Sequence, residues 1–288
     1  HYVFATLRNN SKNKRLYEHS NLIYNCVDYS EKNQLVEVFE CADSVIHLAG
    51  LAHNQKLIDN CDFMAFHNAN VLTTLNIVEA SQIACIQRFI FISSIGVVSG
   101  VDDSINMRSI KGRMFNPMNV YTYSKLVAEM IITSTLNNTS IHHITIRPPL
   151  VYGYSCPGNL ARLVKVFKYC PVNIFSCLTD KRTFISVENL VSAISSALHS
   201  PPSSSRRTFM VGDKLPISIS EIAELCYAKK NISIKLPIPR FILAFVFLIF
   251  GQKKLWDKLT TGFVIDSAEF MDATDWIPND SCLFKVIE

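Results

Sequence analysis

RFIFISSIGVVSG, residues 88–100, is the stretch that decides the fold. Its residues 89–92 are apolar and β-prone, and they run directly into two serines at 93–94. Apolar residues at helical spacing precede this stretch over 63–83 and follow it over 121–135. A short strand between two helical segments is typical of βαβ units with parallel strands. Polar groups that follow such strands gather at the carboxyl edge of the sheet, and we expect the two serines there.

The same alternation extends toward both ends of the chain. Further strand-like runs occur at 2–7, 22–27, 44–48 and 144–146. Beyond residue 150 the pattern becomes less regular, as expected for a smaller lobe. The sequence therefore predicts an α/β fold of the Rossmann type, with a doubly wound parallel sheet. We expect this first domain over 1–150 and a smaller lobe over 151–288, with 180–200 returning to the first domain.

Composition excludes several classes of partner. The 288 residues carry 28 basic and 24 acidic side chains, a net charge of +4, which is too even for a nucleic-acid-binding face. The nine cysteines are odd in number and form no CxxC pair, so we expect buried free thiols and no metal site. The first residues do not resemble a signal peptide, and we expect a cytoplasmic protein.

Residues 241–250 read FILAFVFLIF and contain no polar side chain. A helix that spans a bilayer needs about 20 such residues, so this segment is too short to cross alone. Two interpretations stay open. The segment is a buried helix or a lid over a pocket, or it lies on the inner face of a membrane as a peripheral contact, anchored by its basic flanks.

The strongest chemical signal is YTYSK, residues 121–125. Tyr121 and Lys125 are four residues apart and therefore share one face of a helix. An ammonium beside a phenol lowers the phenol pKa, which makes the tyrosine a proton shuttle for a hydroxyl while a nicotinamide takes the hydride. Ser94 ends a strand 27 residues earlier and could bind the same substrate oxygen; Ser93 is the alternative for that role.

Several blocks in order resemble the extended short-chain dehydrogenase/reductases. Within them the chain resembles the NAD-dependent epimerase/dehydratase family, and most nearly its nucleotide-sugar 4-epimerases for UDP-glucose or UDP-N-acetylglucosamine. The resemblance runs from about residue 2 to about residue 278. The blocks are SVIHLAG (44–50), HNANVLTTLNIVEA (67–80), RFIFISSIGVVSG (88–100), NVYTYSKLVAEM (119–130), TIRPPLVYG (145–153), PGNLARL (157–163) and DKRTFISVENLVSAI (180–194).

The resemblance implies that residues 1–150 form an NAD(P)-binding Rossmann domain and residues 151–288 a substrate-binding lobe. It also implies the site residues. It makes Tyr121 the acid/base, Lys125 the residue that lowers its pKa and holds the nicotinamide ribose, and Ser94 the residue that orients the sugar. NAD, or alternatively NADP, is the implied cofactor. Its implied contacts are Arg8, Asp28 at the adenine, Leu48, Ala49, Gly50, Asn70, Tyr121, Lys125 and Pro148. The implied substrate contacts are Ser94, Asn159, Leu160 and Arg182.

The sequence departs from this family at its beginning. The family opens with a strand, a glycine-rich GxxGxxG turn and a helix, and none of these occurs before the strand at 2–7. The turn and the helix N-terminus bind the cofactor diphosphate. We therefore expect a chain that lacks a βα unit of roughly 30 residues, or a diverged one, and poor dinucleotide binding. Arg8-Asn-Asn closes the strand without an acidic residue, which favours NADP or no preference between NAD and NADP.

Three functions follow from these residues. The first is 4-epimerisation of a UDP-hexose or UDP-N-acetylhexosamine by transient oxidation at C4, for surface polysaccharide synthesis. The second is an NAD(P)H-dependent 4-keto reductase of a UDP-deoxy-amino sugar, which would use the same residues. The third is a non-catalytic, decayed family member. The resemblance also implies a homodimer formed through the helix at 121–135.

Overall fold

The computed structural model describes residues 2–8, 17–52, 63–98, 119–153, 163–165, 167, 169, 172–228, 236, 238–260 and 262–280. The chain forms two compact units. The first takes in His1–Gly100, Met114–Arg147 and Ser196–Phe209, and the second takes in most of the remainder, from Pro148–Ser195 and Met210–Glu288.

The first unit is an α/β structure. Its strands are β1 (Val3–Arg8), β2 (Leu22–Val27), β3 (Ser44–His47), β4 (Arg88–Ile92), β5 (His142–Arg147) and β9 (Arg207–Met210, whose last residue belongs to the second unit). Its helices are α1 (Lys32–Phe39), α2 (Phe63–Phe66), α3 (Thr73–Ile83) and α4 (Val120–Leu136). Residues His67–Leu72 join α2 to α3 as a π-helical turn.

Hydrogen bonding divides the sheet of this unit into two pieces. β1 pairs with β2 in parallel, and a separate sheet has the order β3-β4-β5-β9, with β3, β4 and β5 parallel to one another. One apolar core nevertheless includes Val27 at the end of β2, Val45 of β3 and Phe91 of β4, packed with residues of α1, α3 and α4. The predicted parallel α/β fold of the Rossmann type is confirmed, and the division lies between β1 and β3.

The second unit contains the smaller sheets. Its strands are β6 (Leu150–Tyr152), β7 (Lys181–Arg182), β8 (Phe184–Ser186) and β10 (Ile217–Ser218). Its helices are α5 (Val187–His199, which ends in the first unit), α6 (Ile219–Ala228), α7 (Arg240–Ile249), α8 (Lys253–Thr260) and α9 (Ala268–Thr274). β6 pairs with β8 in parallel and β7 with β10 antiparallel. Its core is built around Phe167, Leu178 and Phe184.

The segment that returns to the first unit differs from the predicted 180–200. β7 and β8 pair with strands of the second unit, so residues 181–186 belong there. The segment Ser196–Phe209 is the one that joins the first unit, because β9 extends the sheet beside β5. Strand pairing, which a single segment does not encode, decides this assignment.

The prediction of buried free cysteines is correct for only some of the described cysteines. Cys26, Cys41 and Cys85 are free but exposed, so the prediction of buried thiols is wrong for these three; Cys226 is buried as predicted.

Of the helices in the described ranges, none combines the length and apolarity needed to cross a membrane.

Candidate active site

Tyr121 and Ser94 meet at the carboxyl end of β4. Ser94 follows β4 by two residues, and its hydroxyl hydrogen-bonds the phenol oxygen of Tyr121 in the first turn of α4. The ring of Phe66 lies 6.3 Å from the Tyr121 ring, centroid to centroid. The structure therefore brings together the serine and the tyrosine that the sequence predicted as partners.

A capping box fixes where α4 begins. The Asn119 side chain accepts a hydrogen bond from the Thr122 backbone N–H at 3.0 Å, and the Thr122 hydroxyl accepts one from the Asn119 N–H at 3.1 Å. These two bonds satisfy donors that a helix N-terminus otherwise leaves unpaired. Tyr121 is thereby held in the first turn, and Lys125 follows one turn later on the same face.

The pKa of Tyr121 is raised, contrary to the predicted lowering. Burial is the larger cause, because it disfavours the charged phenolate. The hydrogen bond from Ser94 acts in the opposite direction, since a donor stabilises the phenolate. Ser94 thus opposes the rise in the Tyr121 pKa, and the pKa-lowering role that the resemblance gives to Lys125 stays a prediction.

Lys125 is buried below the tyrosine. Its Nζ donates a hydrogen bond to the carbonyl oxygen of Ile92 at 2.9 Å and lies 4.7 Å from the centroid of the Phe91 ring. Burial lowers the Lys125 pKa to about 8, and the negative charge of Glu129 partly opposes this shift. The ammonium is therefore charged at neutral pH and loses its proton at moderately alkaline pH.

A buried ion pair holds α4 against β5. Arg147, the last residue of β5, donates through Nε to Glu129 Oε1 at 2.9 Å and through a second nitrogen to Oε2. Both residues are buried. The paired geometry satisfies both charges and fixes the helix that carries Tyr121 and Lys125 relative to the sheet.

Asn70 fastens the segment after β3 to α4. Its Oδ1 accepts from the Leu51 N–H at 2.6 Å, and its Nδ2 donates to the Leu51 carbonyl at 3.1 Å and to the Ser124 hydroxyl at 2.8 Å. Both amide hydrogens of Asn70 are thus used within the protein. A direct contact of this side chain with the cofactor stays a prediction, and the structure gives it a positioning role.

Gly50 lies beside the side-chain amide of Asn70 and the ammonium of Lys125. Its φ is +154°, and a Cβ at this position would be 2.9 Å from Asn70 Oδ1 and 3.5 Å from Lys125 Nζ. Any larger residue would strain the backbone and crowd both side chains. The chain therefore approaches Lys125 closely here without covering it with a side chain.

His47 lies beneath the site as a neutral imidazole. Its Nε2 is 2.8 Å from the Thr74 hydroxyl, which itself donates to the Asn70 carbonyl, so Nε2 carries the hydrogen. Burial, and secondarily the charge of Lys125, lowers the His47 pKa to about 3. The histidine thus supports the ends of β3 and α3 without adding charge to the site.

Ser94, and not Ser93, is the serine that contacts Tyr121. Ser94 caps the short 3₁₀ turn Ile95–Val97 by accepting the Gly96 N–H at 3.2 Å. A Cβ at Gly96 would lie only 2.5 Å from Thr122 Cγ2, so a glycine is what lets this turn lie against the start of α4. Ser93 is buried, and its hydroxyl has no hydrogen-bond partner within the described part of the chain.

Comparison with protein families agrees with this geometry. Residues 1–212 match the model of the "NAD dependent epimerase/dehydratase family", which is well over half of the chain. The chain belongs to the NAD-dependent epimerase/dehydratase family. The predicted resemblance is confirmed, and the nicotinamide cofactor is confirmed at the level of this family.

Individual family members show the same relationship. A UDP-glucose 4-epimerase of Vibrio cholerae is 28% identical over 236 residues, which are 81% of this chain and 71% of that protein. Among solved structures, a UDP-glucose 4-epimerase from Thermotoga maritima with UDP-glucose has a TM-score of 0.75 at 16% identity, covering 99% of this chain and 89% of its own. A UDP-glucuronic acid 4-epimerase from Bacillus cereus in complex with NAD has a TM-score of 0.71 at 18% identity, covering 94% and 79%. At these identities the two structures establish the shared fold.

The described residues fit the nicotinamide half of this family's cofactor. Lys125 has three donor hydrogens, of which the bond to Ile92 uses one, and Gly50 places bare backbone beside it. Tyr121 and Lys125 would hold the ribose, and Leu48, Ala49 and Gly50 would contribute backbone contacts. Within the described residues, no glycine-rich turn is available for the diphosphate half, and weak dinucleotide binding stays a prediction.

The remaining predicted contacts stay predictions. Asp28 is exposed, and its Oδ1 accepts from the Ser30 N–H at 2.9 Å and from the Ser30 hydroxyl at 2.7 Å, which makes it part of a turn. Arg8 is the last residue of β1, and its side chain lies outside the description. Pro148 is buried directly after β5, and Asn159 and Leu160 lie outside the described residues.

Arg182 belongs to the second unit. It lies in β7, where its guanidinium donates to the Leu259 carbonyl at 3.1 Å. Burial lowers its pKa, and Asp180 opposes that effect. Its predicted contact with substrate phosphates stays a prediction. No group of three or more potential metal-ligating side chains occurs in the described ranges.

Sequence reasoning missed the residues that hold the site in place. Ser124, Thr122 and Gly96 position Tyr121 through contacts that depend on neighbouring elements. The Asn119–Thr122 capping pair was readable, because Asn precedes the helical spacing and Thr follows three residues later. The buried Glu129–Arg147 pair joins residues 18 positions apart, and no local pattern indicates it.

Proposed function

We propose that this chain is a nucleotide-sugar 4-epimerase that acts on a UDP-hexose or a UDP-N-acetylhexosamine. The observation that carries the proposal is the Ser94–Tyr121 hydrogen bond at the carboxyl end of β4, with Lys125 one turn further along α4. The similarity to the Vibrio cholerae UDP-glucose 4-epimerase supports this reaction over others of the family.

The residues divide the chemistry between them. When bound, the nicotinamide accepts a hydride from the sugar carbon and returns it. Tyr121 takes the proton of the C4 hydroxyl on its phenolate oxygen and gives it back when the hydroxyl re-forms. Ser94 donates to that oxygen and so favours the phenolate, against the raised pKa that burial imposes. Lys125, with a pKa of about 8, supplies positive charge on the same helix face at neutral pH.

A dehydratase is the other activity in the family description. Eliminating water requires further acid–base groups close to the tyrosine. Thr122 and Tyr123 follow Tyr121, and Glu129 on the same helix is already bound to Arg147. These neighbours favour the epimerase.

The 4-keto reductase is kept as a second candidate because of Arg8. β1 ends at this arginine, and Asn9 and Asn10 follow, so the strand closes without the acidic residue that binds an NAD ribose. An arginine at this position suits the additional phosphate of NADP. A reductase would consume NADPH, whereas an epimerase regenerates its cofactor in each turnover.

A role in surface polysaccharide synthesis and the formation of a homodimer both stay predictions. The use of the product in surface polysaccharide follows from the resemblance alone. A homodimer through α4 is supported by exposed apolar residues on adjacent helices, Met130 of α4 and Ile83 of α3.

The first experiment measures turnover of four substrates, UDP-glucose, UDP-galactose and their two N-acetylated counterparts, at saturating NAD. We expect interconversion of a C4 epimer pair with no net change in NADH. In Tyr121→Phe, we expect kcat to fall by about 10²- to 10⁴-fold, because only the proton-carrying hydroxyl is removed.

Tyr123→Phe is the matched control. Tyr123 lies on the same helix but is exposed, and this variant should keep its activity. If the chain instead reduced a 4-keto sugar, and did so only with added NADPH, the result would support the reductase and not the epimerase. Equal activity of the Tyr121→Phe and Tyr123→Phe variants would contradict the proposal, as would a chain that binds NAD and turns over none of these substrates.

A further inference from the structure

α7 exposes an apolar surface on the second unit. At 3.6 residues per turn, Phe241, Phe245 and Ile249 follow one another along one line of the helix, and they are 73%, 62% and 64% exposed. We define the outer face of α7 as these three residues with their exposed apolar neighbours. The neighbours are Ile242, Val246, Leu248 and Phe250.

The opposite side of α7 is packed within its unit. Leu243 is buried, and the ring of Phe247 lies 5.5 Å from the ring of Trp256 in α8, centroid to centroid. A helix on the surface of a soluble domain normally presents polar residues to water. No residue between 241 and 250 is polar, so the outer face is apolar throughout. The predicted interpretation of 241–250 as a buried helix therefore accounts for only its inner side.

The outer face is held in a fixed position. Arg240 pairs with Asp180 at 3.0 Å and donates to the Thr260 carbonyl at the end of α8 at 3.3 Å. Gly251, with φ +65°, turns the chain between the two helices, and the Gln252 N–H donates to the Phe247 carbonyl at 2.7 Å. α7 and α8 thus form a helical hairpin that holds the outer face in place.

The charge next to this face is positive. Lys253 is exposed at the start of α8, and the sequence adds Lys254 and Lys258 against the single carboxylate of Asp257. Asp257 is the one acidic residue in the α8 sequence, and nearby Asp180 is paired with Arg240 at 3.0 Å. An apolar helix face rich in phenylalanine and bordered by lysines is the composition of helices that lie in the interface of an anionic membrane.

A second copy of the chain fits this surface less well. Two α7 helices packed in parallel would bring the two lysine groups together. Packed antiparallel, they would leave both groups without acidic partners, because Asp180 is engaged by Arg240. Anionic lipid headgroups, in contrast, match the lysines while the acyl-chain boundary takes up the phenylalanines.

We infer that the outer face of α7 binds the surface of an anionic phospholipid membrane, with the helix lying parallel to the bilayer plane. Ten residues of helix are about 15 Å long, half of the hydrocarbon thickness, so the helix inserts on one side only. The contact is reversible and brings the second unit to the membrane surface. It is independent of the activity proposed above.

The test is co-sedimentation of the full chain with vesicles of phosphatidylcholine alone and of phosphatidylcholine mixed with phosphatidylglycerol. We expect binding to the mixed vesicles that weakens with added salt. Replacing Phe241, Phe245 and Ile249 together by serine should reduce the bound fraction at least about tenfold, since the inserted side chains are lost. Lys253→Glu should reduce binding to the mixed vesicles about tenfold and leave binding to neutral vesicles unchanged.

The matched control replaces three exposed apolar residues elsewhere in the second unit by serine. Leu215, Leu236 and Ile277 serve this purpose, and their triple variant should bind as the unchanged chain does. An unchanged unfolding temperature shows that each variant is folded. Equal binding by the outer-face and control variants would overturn the inference. So would failure of the unchanged chain to bind mixed vesicles, or a dimer in sedimentation that only the outer-face variant abolishes.

Discussion

β3 and β4 are neighbouring strands in one register, yet their surroundings differ. Ile46 of β3 lies opposite Ile90 of β4, but Ile46 is 38% exposed and Ile90 is 1% exposed. β4 is covered on both faces, whereas β3 is covered only on the face that carries Val45 and His47. The difference shows that the catalytic end of the sheet is complete within the described chain, and the side toward β1 is not.

The open side coincides with the division of the sheet. β3 and β1 each end a hydrogen-bonded group, and no described strand pairs with their other edges. Val3 of β1 and Ile23 of β2 are exposed as well. A parallel strand with a covering helix would pair with both edges and bury these residues. The open edges of β1 and β3 are thus the place in this sheet where a further parallel strand would fit.

The largest expected effect is the pH dependence of folding stability, which comes from His47 on the covered face of β3. His47 has a pKa of about 3 in the folded chain and about 6.5 when unfolded, so the unfolded state binds a proton first as pH falls. Stability is therefore full above pH 6.5 and falls by about 1.4 kcal/mol per pH unit below it, on the order of 5 kcal/mol by pH 3. Denaturant unfolding measured from pH 8 to pH 5 checks this.

The comparison is made with His47→Gln, which keeps a polar side chain but cannot titrate. Between pH 6.5 and pH 5 the unchanged chain should lose about 2 kcal/mol more than this variant. The slope with pH is the measure, because the substitution itself changes stability. Parallel curves for the two proteins would show that His47 is not buried as a neutral imidazole.

The next effect compares the two faces directly. Ile90→Ala should lower the free energy of unfolding by about 2–5 kcal/mol, because it leaves a cavity in a packed core. Ile46→Ala removes the same atoms at the paired position of the adjacent strand, and should cost less than about 1 kcal/mol. Each variant is the control for the other. Equal losses would mean that both faces of β3 are covered in solution.

The smallest effect concerns the close approach of the Ser94 turn to α4. Gly96→Ala should destabilise the chain by about 1–3 kcal/mol, because its Cβ would meet Thr122 Cγ2 at 2.5 Å. Thr122→Ser removes that methyl group and keeps the hydroxyl of the capping box. The double variant should therefore recover most of the loss in a chemical unfolding experiment. If the double variant were as unstable as Gly96→Ala alone, contact with the Thr122 methyl group would not be the cause of the destabilisation.

Prediction from the sequence succeeded where the signal was local. The strand 22–27 has the predicted bounds, and the helix predicted at 121–135 is observed at Val120–Leu136. The placement of Ser94 beside Tyr121 was also correct, since the carboxyl ends of parallel strands share one edge. The predicted return of 180–200 overlaps the observed segment Ser196–Phe209 only at 196–200, because strands as short as β7 and β8 carry too little pattern to show which sheet they join.

By itself, the sequence determined the parallel α/β class, the family and the Ser94, Tyr121 and Lys125 set, because strand alternation, helical spacing and contiguous motifs are properties of local chain. The tertiary structure decided the direction of the Tyr121 pKa and the positioning role of Asn70. It also decided which apolar residues are covered, as the pairs Ile46 and Ile90 show. These depend on burial and on contacts between distant segments, and only the folded chain brings those segments together.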